Sequence, residues 1–309
     1  MPEIYDIAVI GGGPAGLSAG LYAARSRMNV VIIEKGKFGG QATTTDELEN
    51  YPGSIEECTG SALSERMKKQ AEDFGCKFVK DAVIDVDFSG DIKVIKGKQN
   101  DYQAKSVIIA TGANPRLGGF DRELELRGKG VSYCATCDAD FFEGLDIAVI
   151  GGGDSAITEA IYLTKFAESV TVIHRRDALR AAKSLQEKAF ANPKIKFIWN
   201  SVVTEANGDE ILESLTVKNV KTGELSSLEV NGVFVFVGLT PITELFGDKI
   251  QLDERGYIPT DDDMRTNVSG IFAAGDVRVK SLRQVITAAA DGAIAATIAE
   301  EYITEKFGK

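Results

Sequence analysis

Cys134 and Cys137 stand two residues apart in the stretch Val131-Ser132-Tyr133-Cys134-Ala135-Thr136-Cys137-Asp138. Two thiols at that spacing, where a loop runs into a helix, can close a small disulfide, and the positive end of the helix dipole favours a reactive thiolate. The other chemical use of such a pair is half of a metal site, which needs a second C-x-x-C or a His pair at defined spacing. The remaining cysteines are Cys58 and Cys76, eighteen residues apart, and the one histidine is His174. A dithiol/disulfide couple is therefore favoured over zinc. Two packed core cysteines are the purely structural alternative.

A second set of residues could hold phosphates. Residues 4–10 form an apolar strand, and Gly11-Gly12-Gly13-Pro14-Ala15-Gly16 follows and opens an Ala/Leu-rich helix. Residues 30–34 then make a buried strand ending in Glu34, 34 − 11 = 23 residues after the first glycine. Gly11, Gly13 and Gly16 let the backbone turn tightly and approach a pyrophosphate at the helix start. The spaced acid can hold an adenosine ribose hydroxyl.

The pattern recurs. Residues 146–150 form a strand, Gly151-Gly152-Gly153-Asp154-Ser155-Ala156 the turn, residues 157–165 the helix and residues 170–173 the next strand. His174 lies 174 − 151 = 23 residues after Gly151, and Arg175 and Arg176 follow it. A carboxylate there would repel a ribose 2′-phosphate, whereas paired guanidiniums, with Arg180 one turn on, would bind it. The second nucleotide is therefore expected to be NADPH. The plain alternative is a solvated basic face.

These elements imply an α/β fold of two Rossmann-like dinucleotide-binding domains, the second inserted into the first. After residues 233–238 a Thr240-Pro241 break leads to Ile271-Phe272-Ala273-Ala274-Gly275-Asp276 and a long Ala-rich helix over residues 284–302. This stretch resembles the closing element of a flavin-binding Rossmann domain, in which the Asp holds a ribityl hydroxyl of FAD. Residues 107–112, ending in Ala110-Thr111-Gly112, form a matching strand and small-residue turn. The expected boundaries are 1–114 and 245–309 for the FAD domain and 116–243 for the NADPH domain carrying the C-x-x-C, with linkers at 114–116 and 238–241.

At 309 residues, two domains are the natural expectation. A formal net charge of −11 argues against a nucleic-acid partner. The first residues have neither the basic segment nor the long apolar core of a signal peptide. The uncharged residues 7–24 are broken by glycines and a proline, so no membrane span is expected. Four cysteines, two far from the pair, fit a reducing cytoplasm. Cys58, Cys76 and the sole tryptophan, Trp199, are read as bystanders or packing residues.

Taken together, the chain resembles the low-molecular-weight thioredoxin reductases over nearly its whole length. The local matches are Gly39-Gly40-Gln41, Glu49-Asn50-Tyr51-Pro52-Gly53, Ala110-Thr111-Gly112-Ala113, Cys134-Ala135-Thr136-Cys137-Asp138, His174-Arg175-Arg176, Ala273-Ala274-Gly275-Asp276-Val277 and Arg283-Gln284. The resemblance implies a homodimer, non-covalent FAD in each subunit, NADPH as reductant, and thioredoxin or a thioredoxin-like protein as the disulfide substrate. Carried over residue by residue, it adds Pro14, Ala15, Gly40, Gln41, Asn50, Val83, Ala110, Thr111, Gly112, Gly275, Asp276, Arg283, Gln284 and Val285 to the FAD set. It likewise adds Gly153, Asp154 and Ser155 to the NADPH set. Ala139 replaces the family's usual Gly, and Thr158-Glu159 stands where many members have two acids.

By the same resemblance Cys137 faces the flavin and Cys134 attacks the partner disulfide. The single His belongs to the NADPH motif, which leaves Asp138 as the candidate to protonate a leaving thiolate. The plain alternative is a helix N-terminal acid with no chemical role. Dithiol and NADPH site share one domain and flavin the other, so the linkers are expected to act as a hinge. Rival readings are a ferredoxin-fed reductase of the same build, a flavin-dependent dithiol oxidase, and a nucleotide-binding redox sensor. The paired arginines argue against the first two.

Overall fold

The computed structural model describes residues 3–44, 48, 50–54, 56, 59–133 and 135–308, and for Thr44, Thr136 and Cys137 the backbone alone. In chain order, β1 (Ile4–Ile10) turns into α1 (Pro14–Arg25), then β2 (Val30–Glu34), α2 (Gly60–Asp73), β3 (Lys77–Lys80), β4 (Val83–Asp87), β5 (Lys93–Gly97) and β6 (Asp101–Ile109). β7 (Ala113–Pro115) leads to β8 (Val131–Ser132), α3 (Ala135–Asp138), β9 (Asp146–Ile150), α4 (Asp154–Leu163), β10 (Ser169–His174), α5 (Lys183–Ala191) and β11 (Ile195–Trp199). There follow β12 (Ser201–Asn207), β13 (Ser214–Asn219), β14 (Leu225–Glu229), β15 (Gly232–Val235), β16 (Leu239–Pro241), β17 (Ile271–Ala273) and α6 (Val285–Phe307).

The chain divides into two compact units, Met1–Asn114 with Thr240–Lys309, and Pro115–Leu239. The two crossings pair with each other, β7 with β16, as a two-stranded sheet.

In the first unit β1 is flanked by β2 and β6, both parallel to it, and β17 adds to β6. Ile7 and Val9 of β1 pack into one apolar cluster with α1 and α6, while Ala8 and Ile10 pack into another with Phe246 and Ile258. A strand apolar on both faces must be covered on both sides, which is the parallel-sheet solution. α6 reaches closely onto α1, because a Cβ on Gly292 would meet the Ala15 carbonyl oxygen at 2.0 Å. The helix runs to Phe307, beyond the expected end at Tyr302.

The second unit repeats the plan with a five-stranded sheet in the order β11-β10-β9-β15-β8. Ile147 and Val149 face α4 through Ala156, Ile157 and Ala160. Ala148 and Ile150 face the antiparallel sheet β12-β13-β14 through Val203, Leu215 and Val217. The helix after the second glycine turn covers Asp154–Leu163, displaced from the expected 157–165. Gly153 is extended and caps it, so helical geometry begins at once with Asp154, an acid in the first turn.

Candidate functional site

Parallel registers gather the first set of residues. Ile10 pairs with Ile33 and with Ile109, and Ile109 with Ala273. The residues that follow, Gly11, Glu34, Ala110 and Ala274, therefore emerge side by side at the carboxyl edge, where open parallel sheets hold ligands. Gly11 (φ +109°) has no room for a side chain, since a Cβ would lie 2.3 Å from the Ala110 carbonyl oxygen. A Cβ on Gly16 would lie 1.9 Å from the Gly11 carbonyl oxygen. Gly13, by contrast, has nothing within 4 Å of the place its Cβ would occupy. Pro14 and Ala15 start α1 directly behind it.

Glu34 is fixed by the glycine turn. Its Oε2 accepts from the Gly12 N–H and its Oε1 from the Gly36 N–H, both at 2.7 Å. Val83 opens β4 two residues after Asp81, whose N–H donates to the Glu34 carbonyl at 3.0 Å. Gly40 lies against Gly13, and Gln41 donates to the Ala113 carbonyl. Thr111 Oγ1 donates to the Ile242 carbonyl at 2.7 Å, and Gly112 (φ +72°) completes that turn.

The start of α6 closes the set. Gln284 caps the helix in a reciprocal box with Thr287, ahead of Val285, and its Oε1 accepts from Asn50 Nδ2 at 2.8 Å. The Arg283 guanidinium stacks 4.1 Å from the centroid of the Tyr257 ring. Gly275 (φ +79°) presses on Ala15. Asp276 Oδ1 is shut off from solvent with no hydrogen-bond partner among the described residues. Burial pushes the Asp276 carboxyl above its ordinary value, and Lys280 and Arg283 pull it partly back.

In the second unit Ile150 pairs with Ile173 and with Val235, which sets the Gly151–Gly153 turn beside His174. The His174 ring lies over Gly152, where a Cβ would meet it at 2.4 Å, and its buried Nε2 has no partner among the described residues. Burial, then the Arg180 charge, holds the imidazole below its ordinary value. Arg175, Arg176 and Arg180 are exposed. The Arg180 N–H donates to the Gly152 carbonyl at 2.7 Å, so the arginine loop is tied to the glycine turn. Asp154 Oδ1 accepts from the Ala182 N–H at 2.7 Å, and Ser155 is exposed. Glu159 on α4 is pushed up to about 7 by burial.

Cys134 lies outside the described residues, as do Cys58 and Glu49; Cys137 is placed by its backbone in α3. The helix behind the C-x-x-C is a single turn running into a 3-10 turn, Ala139–Phe142, so the expected helix dipole is small at the dithiol. Asp138 is half-buried, and its Oδ2 accepts from Ser132 Oγ at 2.6 Å. Cys76 is buried, and burial pushes its thiol up to about 12, as suits a packing residue.

Among the buried carboxylates that sequence reasoning missed are Asp291 and Glu123. Asp291 of α6 accepts from the Gly275 N–H at 3.0 Å and pairs with Arg278 and Lys280. Glu123 accepts from the Gly118 and Gly119 N–H groups and from Tyr133 Oη, at 2.7, 2.7 and 2.5 Å. For Asp291 a signal exists, a lone acid in the apolar run Ala288-Ala289-Ala290-Asp291-Gly292-Ala293. Glu123 has none, being one acid among several.

The chain matches the family Pyridine nucleotide-disulphide oxidoreductase over residues 5–292. The chain belongs to the pyridine nucleotide-disulphide oxidoreductases. Within this family of oxidoreductases it is 59% identical over 313 residues to the thioredoxin reductase of Peptoclostridium acidaminophilum, covering 99% of each chain. It is 57% identical to that of Peptoclostridium litorale, covering both chains completely. The solved thioredoxin reductase of Lactococcus lactis in its FR conformation superposes with a TM-score of 0.94 at 48% identity, over 97% of this chain and 99% of that one.

Thioredoxin reductases of the pyridine nucleotide-disulphide oxidoreductases use FAD and NADPH. The first unit fits FAD, with open backbone at Gly13 for a pyrophosphate and, at Asp276, a buried acceptor without a donor among the described residues. The second fits NADPH, with the same open space at Gly153 and three exposed arginines beyond it. No helix among the described residues is long and apolar enough to cross a membrane.

Proposed function

We propose that this protein is a cytoplasmic, homodimeric thioredoxin reductase that uses NADPH to reduce the disulfide of thioredoxin or a thioredoxin-like protein. One observation carries the reading. Two glycine turns sit at the carboxyl ends of parallel strands in two separate sheets, one beside Glu34 and the other beside His174-Arg175-Arg176, in a chain that also bears Cys134-Ala135-Thr136-Cys137. When bound, FAD and NADPH supply the two-electron transfer.

The residues of this chain bind, orient and move protons. Gly11, Gly13 and the start of α1 receive the FAD pyrophosphate, Glu34 the adenosine ribose, and Asp276 a hydroxyl of the flavin side chain. Gly153, Asp154 and Ser155 line the NADPH pyrophosphate, and Arg175, Arg176 and Arg180 select the 2′-phosphate. Cys134, as thiolate, attacks the partner disulfide to give a mixed disulfide, which Cys137 resolves, releasing a dithiol. Asp138 supplies a proton to the leaving thiolate, and its bond from Ser132 fixes the carboxyl for that task. Phe141, four residues past Cys137 and 78% exposed, offers an aromatic contact to a docking protein.

Anaerobic titration tests this directly: NADPH should bleach the flavin absorbance, and oxidised thioredoxin should restore it. A colourless protein that cannot be reconstituted with flavin, or full thioredoxin reduction by Cys134→Ser or Cys137→Ser, would refute it. Asp138→Asn should slow thioredoxin turnover by about a hundredfold while leaving NADPH bleaching of the flavin intact.

A further inference from the structure

Asp291 is an unexpected residue on a buried helix face otherwise made of alanine, glycine and Ile303. It is 6% exposed, and its carboxylate gathers three donors from the loop that carries Asp276. Oδ1 pairs with Arg278 Nη1 at 3.1 Å; Oδ2 accepts from Lys280 Nζ at 2.7 Å and from the Gly275 N–H at 3.0 Å. The side chains of Lys280 and Asp291 are each 9% exposed. Arg278 has further partners in Thr260 Oγ1, at 2.7 Å, and the Asp261 carbonyl. Among the described residues the Lys280 ammonium has no other hydrogen bond or ion pair.

Asp276 lies four residues before Lys280, with its Oδ1 buried and without a partner among the described residues. Of the charges around that carboxyl, Lys280 exerts the strongest pull. A buried ammonium cannot stay without a counter-ion, and a buried carboxylate oxygen with no donor is the natural place for it to go.

We infer that Asp291 is a positioning residue for flavin binding: by holding Lys280, it keeps the Asp276 carboxylate open for a hydroxyl donor of FAD. The inference rests on the assignment of FAD to the first unit. Asn at 291 keeps an acceptor for the Gly275 N–H, so the Asp291→Asn variant changes the charge and leaves the turn supported. Lys280 then closes on Asp276 and competes with the cofactor. Removing the ammonium as well, in the double variant Lys280→Met with Asp291→Asn, frees Asp276 again. A merely structural role for Asp291 predicts no such rescue.

The test measures the rate of FAD release from purified full-length protein by recovery of free-flavin fluorescence, alongside melting curves of the same samples. Asp291→Asn should release FAD at least about tenfold faster than the parent, and the double variant should return to within about threefold of it. Release from Asp291→Asn within twofold of the parent overturns the inference, as does a double variant that loses FAD as fast as the single one. Should Asp291→Asn fail to fold, a double variant that folds and retains FAD supports the inference, and one that fails equally overturns it. A parent protein that binds no FAD refutes the underlying assignment; a parent that binds it with indifferent variants refutes only the role of Asp291.

Discussion

Arg175 and Arg176 show how much a single position decides. In the first unit the place 23 residues after the leading glycine holds Glu34, clamped by two backbone N–H groups; in the second, His174 packs on the turn and leaves both arginines in solvent. Replacing Arg175 and Arg176 by Ala should raise KM for NADPH by about a hundredfold, with kcat at saturation unchanged and little effect on KM for NADH; initial rates with both nucleotides check this. Glu159 gives a pH signature. Its carboxyl titrates near 7 in the folded chain and at its ordinary 4.5 when unfolded, so between those values the native state binds more protons and stability falls as pH rises. Glu159→Gln should therefore melt higher than the parent at about pH 8, with the gap closing below pH 4.5; thermal melts across that range would show it. The glycine turns and the spaced acid or arginines were legible in the sequence because steric and charge demands are local to them. The ties of Glu34 to Gly12 and of Asp291 to Lys280 join residues far apart on the chain or on different elements, and no spacing rule reaches them.

At the scale of elements, α6 is positioned by a missing side chain. Gly292 lets the helix touch α1 at the Ala15 carbonyl, and α1 begins at the fingerprint turn, so helix contact and cofactor geometry are one constraint. Gly292→Ala gains roughly 1 kcal/mol of helix propensity but forces the helices apart, for a net loss of about 1–3 kcal/mol. The midpoint of chemical denaturation and the flavin-to-protein absorbance ratio should both fall. The strands were readable from their unbroken apolar runs, flanked by turn residues. The four-residue α3 was not: Ala135-Thr136-Cys137-Asp138 has the composition of a longer helix start, and only the 3-10 turn that follows stops it.

For the whole molecule, the proposed hinge lies where the chain passes twice between its units, at β7 and β16. An engineered disulfide across the two domains should abolish steady-state NADPH-thioredoxin turnover when oxidised and restore it on selective reduction. Unchanged turnover in the oxidised state would count against a hinge. The nesting of one domain in the other could be read from the order of the two fingerprints, whereas the pairing of the crossings could not, because Ala113-Asn114-Pro115 and Leu239-Thr240-Pro241 carry no strand pattern of their own. That pairing has an evolutionary corollary. The inserted unit leaves and returns at one spot, with the Arg116 N–H bonded to the Gly238 carbonyl at 2.8 Å. A coding segment whose product begins and ends side by side can be dropped into an ancestral gene, or excised from it, without parting any neighbouring strands of the host.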